Sequence, residues 1–530
     1  MRVLKPAAIV TGIAFLLVWQ GAYFPAQLTG MLVLLLAAFI IGGGKLRATL
    51  PVALLFAVSL LQFISLAARA TDLYTGLIEC LRYLTMPCSL LFFLNSDARR
   101  NERAVFAGLL IIAALGLLAY WSVIVIPSGI IESGRRLQST IQYANTTALL
   151  MLVGSLYAIR AFLEKRRIRY IACGVIFVAA LVLSGSRTTF VIAVGAWLAY
   201  AFILAGRRGK LITALAAVAA AAVIAGLTMI PSIRLFRISL LEPTLVERWI
   251  TYADALAMLK DKPLLGIGVG NWQTEQFLYQ SAPYSVKYIH NYYLQLFLDG
   301  GVLAPILFAA ALVPAVVRGI RRKSVHAVIL LAVMLHALLD FDLIFAAVGM
   351  AAMYSLSQIT GAGVTLTVGR RRFAAALPLA LILALWSSET LARDADTRLQ
   401  RGQLDAAMRE YKLALAIDPL NDGLYYQMAQ STRDTALTEE LIREALARDT
   451  AGAGPAAILA RIRAVNGDLS EAVELCEGLL QKRRFSTEYQ ELYRDVLAQA
   501  VSAGALSDGE YNKKLLDLDA KIKDVNPLYV

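Results

Sequence analysis

Three arginines and one histidine are the residues whose chemistry is easiest to interpret, because they lie at the ends of apolar runs or between them. The arginines are Arg136, Arg187 and Arg248, and the histidine is His290. A guanidinium binds phosphate oxygens bidentately, so converging arginines would stabilise the charge that grows on a departing phosphate group. A neutral imidazole can take a proton from a hydroxyl group. The alternatives are surface ion pairs or lipid headgroup contacts for the arginines, and a structural or capping role for His290.

A second polar group lies further along the chain, around His336. Asp340 follows His336 by four residues, which predicts that the two share a helical face and form a hydrogen-bonded pair. Asp342 is interpreted as a polar turn between two helices. His326 lies beside a basic cluster and is expected to be solvated.

A glycine-rich segment, Gly266-Ile-Gly268-Val-Gly270, precedes His290. It fails as a nucleotide fingerprint because no strand precedes it and no βαβ unit surrounds it. We interpret it as a tight turn. Either its main-chain N–H groups approach an anion, or it only lets the chain re-enter the membrane.

Residues that bind metals are not grouped in the sequence. Cys80, Cys88, Cys173 and Cys476 are scattered, which indicates neither a metal pair nor a disulfide framework. No cofactor and no metal is predicted, because the sequence offers no cluster with convincing metal-ligand spacing.

The composition places most of the chain in a bilayer. Of 530 residues 58% are hydrophobic and 17% are charged, and the mean hydropathy is +0.63, so the apolar surface is too large for a soluble domain to bury. We predict an all-α fold, a polytopic transmembrane bundle of about thirteen helices. The predicted spans lie near residues 7–23, 27–42, 49–67, 74–94, 104–126, 144–163, 168–184, 188–205, 211–230, 291–317, 325–340, 342–360 and 373–390.

The basic residues predict how the chain is oriented. Placing the N-terminus, with Arg2 and Lys5, in the cytoplasm puts six basic connections on the same side, as the positive-inside rule requires. A large loop at residues 231–289 is then extracytoplasmic, and so is everything after about residue 390. Residues 1–390 are predicted as the membrane domain. The net charge of +13 follows from these loops and does not indicate nucleic-acid binding.

Residues 391–530 are predicted as a small extracytoplasmic α-helical repeat domain. The stretch from Arg398 to Ala429 resembles a tetratricopeptide repeat, with small residues where two helices would approach and Asp418-Pro419 where the second helix would end. A poorer copy runs from Ala460 to Leu480. Such a module would bind a protein partner or brace the membrane domain; the alternative is a solubilising cap.

Taken in order, the motifs of residues 130–350 resemble those of the O-antigen ligase and O-antigen polymerase family. Each motif matches in residue type and in predicted membrane side, and together they are far more specific than any one alone. The motifs are Arg136 to Asn145, Ser184-Gly-Ser-Arg187, Arg248-Trp, Pro263-Leu-Leu-Gly-Ile-Gly268-Val-Gly270-Asn271, His290-Asn291-Tyr-Tyr-Leu followed by Asp299-Gly-Gly, and His336 to Asp340.

The resemblance implies a membrane enzyme that transfers or polymerises glycan from a polyprenyl-diphosphate donor onto a glycan, lipid or protein acceptor. It would act at the outer face of the bacterial cytoplasmic membrane, by single displacement with inversion and without a metal. The resemblance implies that His290, Arg187 and Arg248 are catalytic. It implies substrate binding by Arg136, Asn145, Gly268, Gly270, Asn271, Asn291, His336 and Asp340.

Two other classes of function stay open on sequence grounds. A transporter or flippase of lipid-linked glycans is also polytopic, although such proteins often carry duplicated halves, which this sequence does not show. A non-catalytic scaffold could present the repeat domain to partners in envelope polysaccharide assembly.

Overall fold

The computed structural model describes residues 18–42, 45–132, 134–227, 243–450 and 452–527. These residues are mostly helical and contain little strand, which confirms the predicted all-α polytopic fold. The helices of the membrane part are α1 Pro25–Ile41, α2 Leu50–Arg69, α3 Leu73–Leu94, α4 Ala98–Tyr120, α5 Ala144–Lys165, α6 Arg169–Leu183, α7 Arg187–Leu204, α8 Arg207–Leu227, α9 Pro243–Asp261, α10 Trp272–Tyr279, α11 Tyr292–Gly300, α12 Leu303–Arg321, α13 Val325–His336, α14 Ala346–Ile359 and α15 Ala376–Gln400.

Seven helical segments among the described residues are long and apolar enough to cross a bilayer, by length and composition. They are α2, α3, α4, α5, α7, α12 and the segment Gly369–Gln400; α1, α6 and α13 are shorter apolar helices. The predicted count of about thirteen spans stays a prediction. Most of the predicted span at residues 7–23 lies outside the described residues.

One predicted span is wrong, because residues 291–317 form two helices. The chain breaks after α11 at Gly301, whose φ is +75°. A Cβ atom on this residue would lie 1.8 Å from the Leu264 carbonyl oxygen. Only glycine allows this positive φ together with so close a backbone approach, so the apolar run could not continue as one straight helix.

Two charged residues buried inside the bundle form an ion pair. Arg82 and Glu79, one turn apart on α3, are buried and join through Arg82 Nε and Glu79 Oε2 at 2.9 Å. Arg82 also donates to the carbonyl oxygens of Tyr23 and Ile344, at 2.9 and 3.0 Å. The mutual pairing expected of two charges in an apolar run is therefore present.

The strands are short and lie at the ends of the bundle. β1 Lys45–Ala48 pairs antiparallel with β4 Val364–Thr367, with Lys45 opposite Thr367. β2 Ile130–Ile131 pairs antiparallel with β3 Arg136–Leu137. The second pair fixes the start of the segment that leads from Arg136 into α5.

Helices pack pairwise in the C-terminal part, as its amphipathic pattern predicts. They are α16 Leu404–Ile417, α17 Asp422–Ser431, α18 Thr435–Arg448, α19 Ala453–Asn466, α20 Leu469–Lys482, α21 Thr487–Ser502 and α22 Asp508–Lys523. Two hydrophobic cores hold them, one around Tyr411 and Ile442 and one around Cys476 and Leu497. Assignment of these helices to the tetratricopeptide family stays a prediction.

The helix α15 belongs to both parts of the molecule. It begins in the membrane part, with Ile382 in the core of the bundle. It ends among the C-terminal helices, called the repeat part below after the predicted repeats, with Ala395 in the core around Tyr411. The boundary predicted between residues 390 and 391 thus falls inside one continuous helix.

Candidate active site

Asp340 lies in the turn between α13 and α14 and accepts hydrogen bonds from four side chains. Its carboxylate is buried, with 1% of the side chain exposed. Asp340 Oδ1 lies 3.1 Å from His290 Nδ1 and 3.0 Å from Tyr143 Oη. Asp340 Oδ2 lies 2.7 Å from Asn145 Nδ2 and 3.5 Å from Arg248 Nη2. One carboxylate therefore brings together three of the predicted site residues from three separate parts of the chain.

Helix α9 and the start of α11 hold His290 and Arg248 in place. Arg248 lies on α9 and also donates from Nη1 to the Leu339 carbonyl oxygen at 2.5 Å. Tyr252, one turn further along α9, donates from its hydroxyl to the His290 carbonyl oxygen. Asn291 caps α11 by accepting from the backbone N–H groups of its first turn, so the predicted site residue Asn291 fixes the direction of the chain after His290.

The environment of Asp340 fixes the tautomer of His290. Burial alone would raise the pKa of Asp340, but the hydrogen bond from His290 and the positive charge of Arg248 hold it below its usual range. The ionised carboxylate can only accept, so Nδ1 of a neutral His290 carries the proton and Nε2 has a free lone pair. His290 is 22% exposed, which leaves its ring open to a substrate hydroxyl.

Arg136 reaches the turn that precedes α7, the helix that begins at Arg187. Arg136 donates from Nε to the Ser184 carbonyl oxygen and from Nη2 to Asn145 Oδ1, both at 2.9 Å. Gly185, at φ +64°, lies against the Arg136 side chain, and Arg187 begins α7 two residues later. Asn145 connects this arginine group to Asp340, so four cations or potential cations surround one end of the bundle.

The predicted pairing of His336 with Asp340 is wrong. Helix α13 ends at His336, so Asp340 does not follow on the same helical face. His336 Nδ1 instead makes a hydrogen bond to Asp342, and its Nε2 lies 2.8 Å from Thr189 Oγ1. His326, expected to be solvated, is also buried, 2.9 Å from an Arg160 nitrogen.

The structure adds residues that the sequence interpretation missed. Thr189 lies 2.9 Å from the Ser186 hydroxyl, which immediately precedes Arg187. The chain from Asp342 through His336 and Thr189 to Ser186 therefore supports the start of α7. Tyr143 is the other addition; its only signal in the sequence was its position within the motif that contains Asn145.

Gly268, Gly270 and Asn271 lie against the turn between α2 and α3. A Cβ atom on Gly268 would come within 3.0 Å of the Arg69 carbonyl oxygen. Asn271 Nδ2 donates to the same oxygen at 2.6 Å, and Asn271 Oδ1 accepts from Thr71 Oγ1 at 2.9 Å. Residues 268–271 thus contact the turn at Arg69 and Thr71 within the protein itself. Their role in substrate binding stays a prediction.

Aromatic rings form one wall of the site. The ring centroid of Phe341 lies 5.1 Å from that of His290 and 5.1 Å from that of Tyr143, which is stacked on it. Tyr288 adds a third ring at 5.6 Å from Phe341. Such a wall lowers the local polarity beside the ionised groups and strengthens their interactions.

The positive groups of the site are its arginines, beside the imidazole of His290. Over the described ranges, no three His, Cys, Asp or Glu side chains are arranged to hold a metal ion. The donor set present is of the kind that binds phosphate oxygens.

Comparison with protein families finds a match in the membrane part. Residues 171–309 match a family model described as O-antigen ligase. The matched range runs from α6 into α12 and contains Arg187, Arg248 and His290, whereas Arg136, Asn145 and Asp340 lie outside it. No curated protein matches the chain.

Proposed function

We propose, from the match of residues 171–309 to the O-antigen ligase family model, that the protein transfers glycan from a polyprenyl-diphosphate donor to an acceptor hydroxyl. The protein is a multi-pass membrane protein. In the proposal the reaction takes place at the outer face of the cytoplasmic membrane, where the positive-inside rule puts the loop that carries Arg248 and His290.

His290 acts as the general base in the proposed reaction. Its Nε2 takes the proton of the acceptor hydroxyl while the hydroxyl oxygen attacks the anomeric carbon. The new bond from oxygen to carbon forms as the bond between the anomeric carbon and the diphosphate oxygen breaks. The electron pair of that bond leaves with the polyprenyl diphosphate, and the configuration at the anomeric carbon inverts. Asp340 stabilises the imidazolium that forms.

The arginines stabilise the leaving group. Arg136 contacts Asn145 and the turn before Arg187, whereas Arg248 contacts Asp340, to which Asn145 also donates. Guanidinium groups placed around a diphosphate compensate the charge that it gains as the sugar bond breaks. This supports a reaction that needs no metal ion.

One observation carries the proposal: Asp340 joins His290, Arg248 and Asn145, with Arg136 on Asn145. A proton acceptor and phosphate-binding cations thus lie side by side. This combination of a proton acceptor with phosphate-binding cations is what a transfer reaction requires, and it favours the enzyme over a transporter.

The test is glycan transfer in proteoliposomes by the purified full-length protein. The reaction contains the host's polyprenyl-diphosphate glycan and candidate glycan, lipid and protein acceptors. The variant His290→Gln is expected to lose activity by on the order of 10²-fold or more, the usual contribution of a general base. His326→Gln is the matched control, because His326 pairs with Arg160 and belongs to none of the contacts of Asp340.

The results separate the classes of function. Transfer by the wild type and the control, with loss in folded His290→Gln, supports the enzyme. Movement of intact donor across the membrane without transfer would indicate a flippase. Unchanged envelope polysaccharide in cells that carry His290→Gln would indicate a scaffold.

A further inference from the structure

The segment just after α22 packs against residues 243–290, called the outer loop below, which contain Arg248 and His290. Asn526 N donates to the Ser281 carbonyl oxygen at 2.8 Å, and Asn526 Nδ2 donates to Ser281 Oγ at 3.3 Å. Val525 packs against the hydrophobic core of this loop. Residues of the repeat part and of the loop, more than 200 positions apart, therefore share one folded unit.

The core that Val525 joins lies directly behind the site residues. Two of its buried members are Ile250, two residues after Arg248, and Ile289, immediately before His290. Both are fully buried, with 1% and 0% exposed. A change in this core is therefore expected to move the backbone that carries both site residues.

Ser281 passes the contact on to α9. Its backbone N–H and hydroxyl both reach Asp254 Oδ2, at 2.9 and 3.3 Å, and Tyr284 Oη donates to the same oxygen at 2.8 Å. Asp254 is buried on α9, the helix that carries Arg248. A connected set of hydrogen bonds therefore runs from Asn526 to the arginine helix.

A second contact reinforces the first. Arg484 Nη2 donates to the Gln280 carbonyl oxygen at 3.1 Å, and the Arg483 guanidinium lies 3.9 Å from the ring centroid of Phe277 on α10. Arg483 and Arg484 follow α20. Two separate segments of the repeat part thus hold residues 277–281 from one side.

We propose that Val525 and Asn526 are positioning residues, which hold the outer loop so that Arg248 and His290 keep their places at Asp340. The bracing itself is independent of the reaction, whereas its effect on transfer rests on the proposed function. The repeat part is then a structural component of the active site and not only a platform for a partner.

The test compares Val525→Asp with Val525→Ile and with Val465→Asp in the full-length protein. Val465 is a valine of the same repeat part that is 85% exposed, so it receives the same substitution without touching the loop. Amide hydrogen exchange of residues 243–290 is expected to rise in Val525→Asp only. Donor KM is expected to rise and kcat/KM to fall, by roughly 10-fold or more, as misplacement of site groups does. Val525→Ile should restore both readouts, because it keeps the apolar contact.

The outcomes are separable. A smaller folded fraction would lower Vmax and leave donor KM unchanged, so a changed KM distinguishes positioning from unfolding. Exchange in Val525→Asp equal to that in Val465→Asp would overturn the bracing. Faster exchange with an unchanged KM would overturn the positioning role. If the wild type transfers no glycan, the proposed function fails, and the exchange result alone decides the bracing.

Discussion

His290 Nδ1 lies 3.1 Å from Asp340 Oδ1, although 50 positions separate the two residues in the chain. The contact joins the segment before α11 to the turn between α13 and α14. Asp340 is buried and also accepts hydrogen bonds from Tyr143, Asn145 and Arg248, which fix the orientation of its carboxylate. The position of the imidazole therefore depends on a carboxylate that cannot rotate.

Asp340→Asn should inactivate the protein with little change in fold. An amide keeps the size of the side chain but has only one acceptor oxygen, and its NH₂ group faces donors. We expect transfer to fall by on the order of 10²-fold or more, because the tautomer of His290 is no longer fixed. The measurement is kcat in proteoliposomes, with Asp394→Asn as control, since that carboxylate is 51% exposed. Equal activity of the two variants would contradict the role given to Asp340.

Arg248→Lys should weaken donor binding. The guanidinium reaches the Leu339 carbonyl oxygen with one nitrogen and Asp340 with the other, and one ammonium cannot replace that fork. A rise of donor KM of roughly 10-fold is expected, which corresponds to about 1.4 kcal/mol. Arg494→Lys, in a surface pair with Asp519, is the matched control and should behave as the wild type.

Several of the residues that the structure brings together around Asp340 could be selected from the sequence, because residue type and motif order are local properties. The sequence analysis selected Arg136, Asn145, Arg248 and His290. In the structure Asn145, Arg248 and His290 contact Asp340, and Arg136 contacts Asn145. Arg187 was correctly expected at a helix start.

The sequence could not show where helices stop. Pairing His336 with Asp340 assumed that α13 continues, but it ends at His336, and the next three residues turn the chain so that Asp342 faces the imidazole instead. His326 looked solvated because of its basic neighbours, yet it is buried beside Arg160. Partners that come from distant helices leave no local signal, and this is also why Tyr143 and Thr189 were missed.

Gly301→Ala should destabilise the protein, whereas Gly195→Ala should not. At Gly301 an added Cβ would meet the Leu264 carbonyl oxygen, and the positive φ alone costs an alanine about 1–2 kcal/mol. Gly195 lies in α7 with nothing within 4 Å of an added Cβ, so alanine there should be neutral or stabilise the helix by about 0.5–1 kcal/mol. Melting temperatures in detergent check this, and a Gly301→Ala protein as stable as the wild type would refute the close approach.

The stability of the region where Asp422 lies near Asp72 and Asp449 should depend on pH. Burial, reinforced by the charges of Asp72 and Asp449, raises the pKa of Asp422 to about 7. Because the folded pKa lies above the unfolded one, the stabilising contribution is fully present at low pH and is lost as the pH rises through about 7. The melting temperature of the wild type should therefore fall as the pH rises toward about 7, and that of Asp422→Asn should fall less. Asp495→Asn, an exposed carboxylate on α21, should keep the slope of the wild type.

Chelation should leave transfer unchanged. In the proposed reaction Arg136, Arg187 and Arg248 compensate the charge of the diphosphate, which is the task that Mg²⁺ performs in other phosphate chemistry. Initial rates with and without EDTA, before and after addition of MgCl₂, provide the measurement. Activity that disappears with EDTA and returns with magnesium would show that the arginines are not sufficient.

Helix α15 runs without a break from the core of the bundle into the repeat part, over 25 residues. At 1.5 Å per residue it is a rod of about 38 Å. We therefore expect the tilt of its membrane end to set the angle between the C-terminal helices and the bundle. With the bracing proposed for Val525 and Asn526, a bilayer of different thickness, which changes the tilt of a spanning helix, would act on the geometry around His290 from a distance.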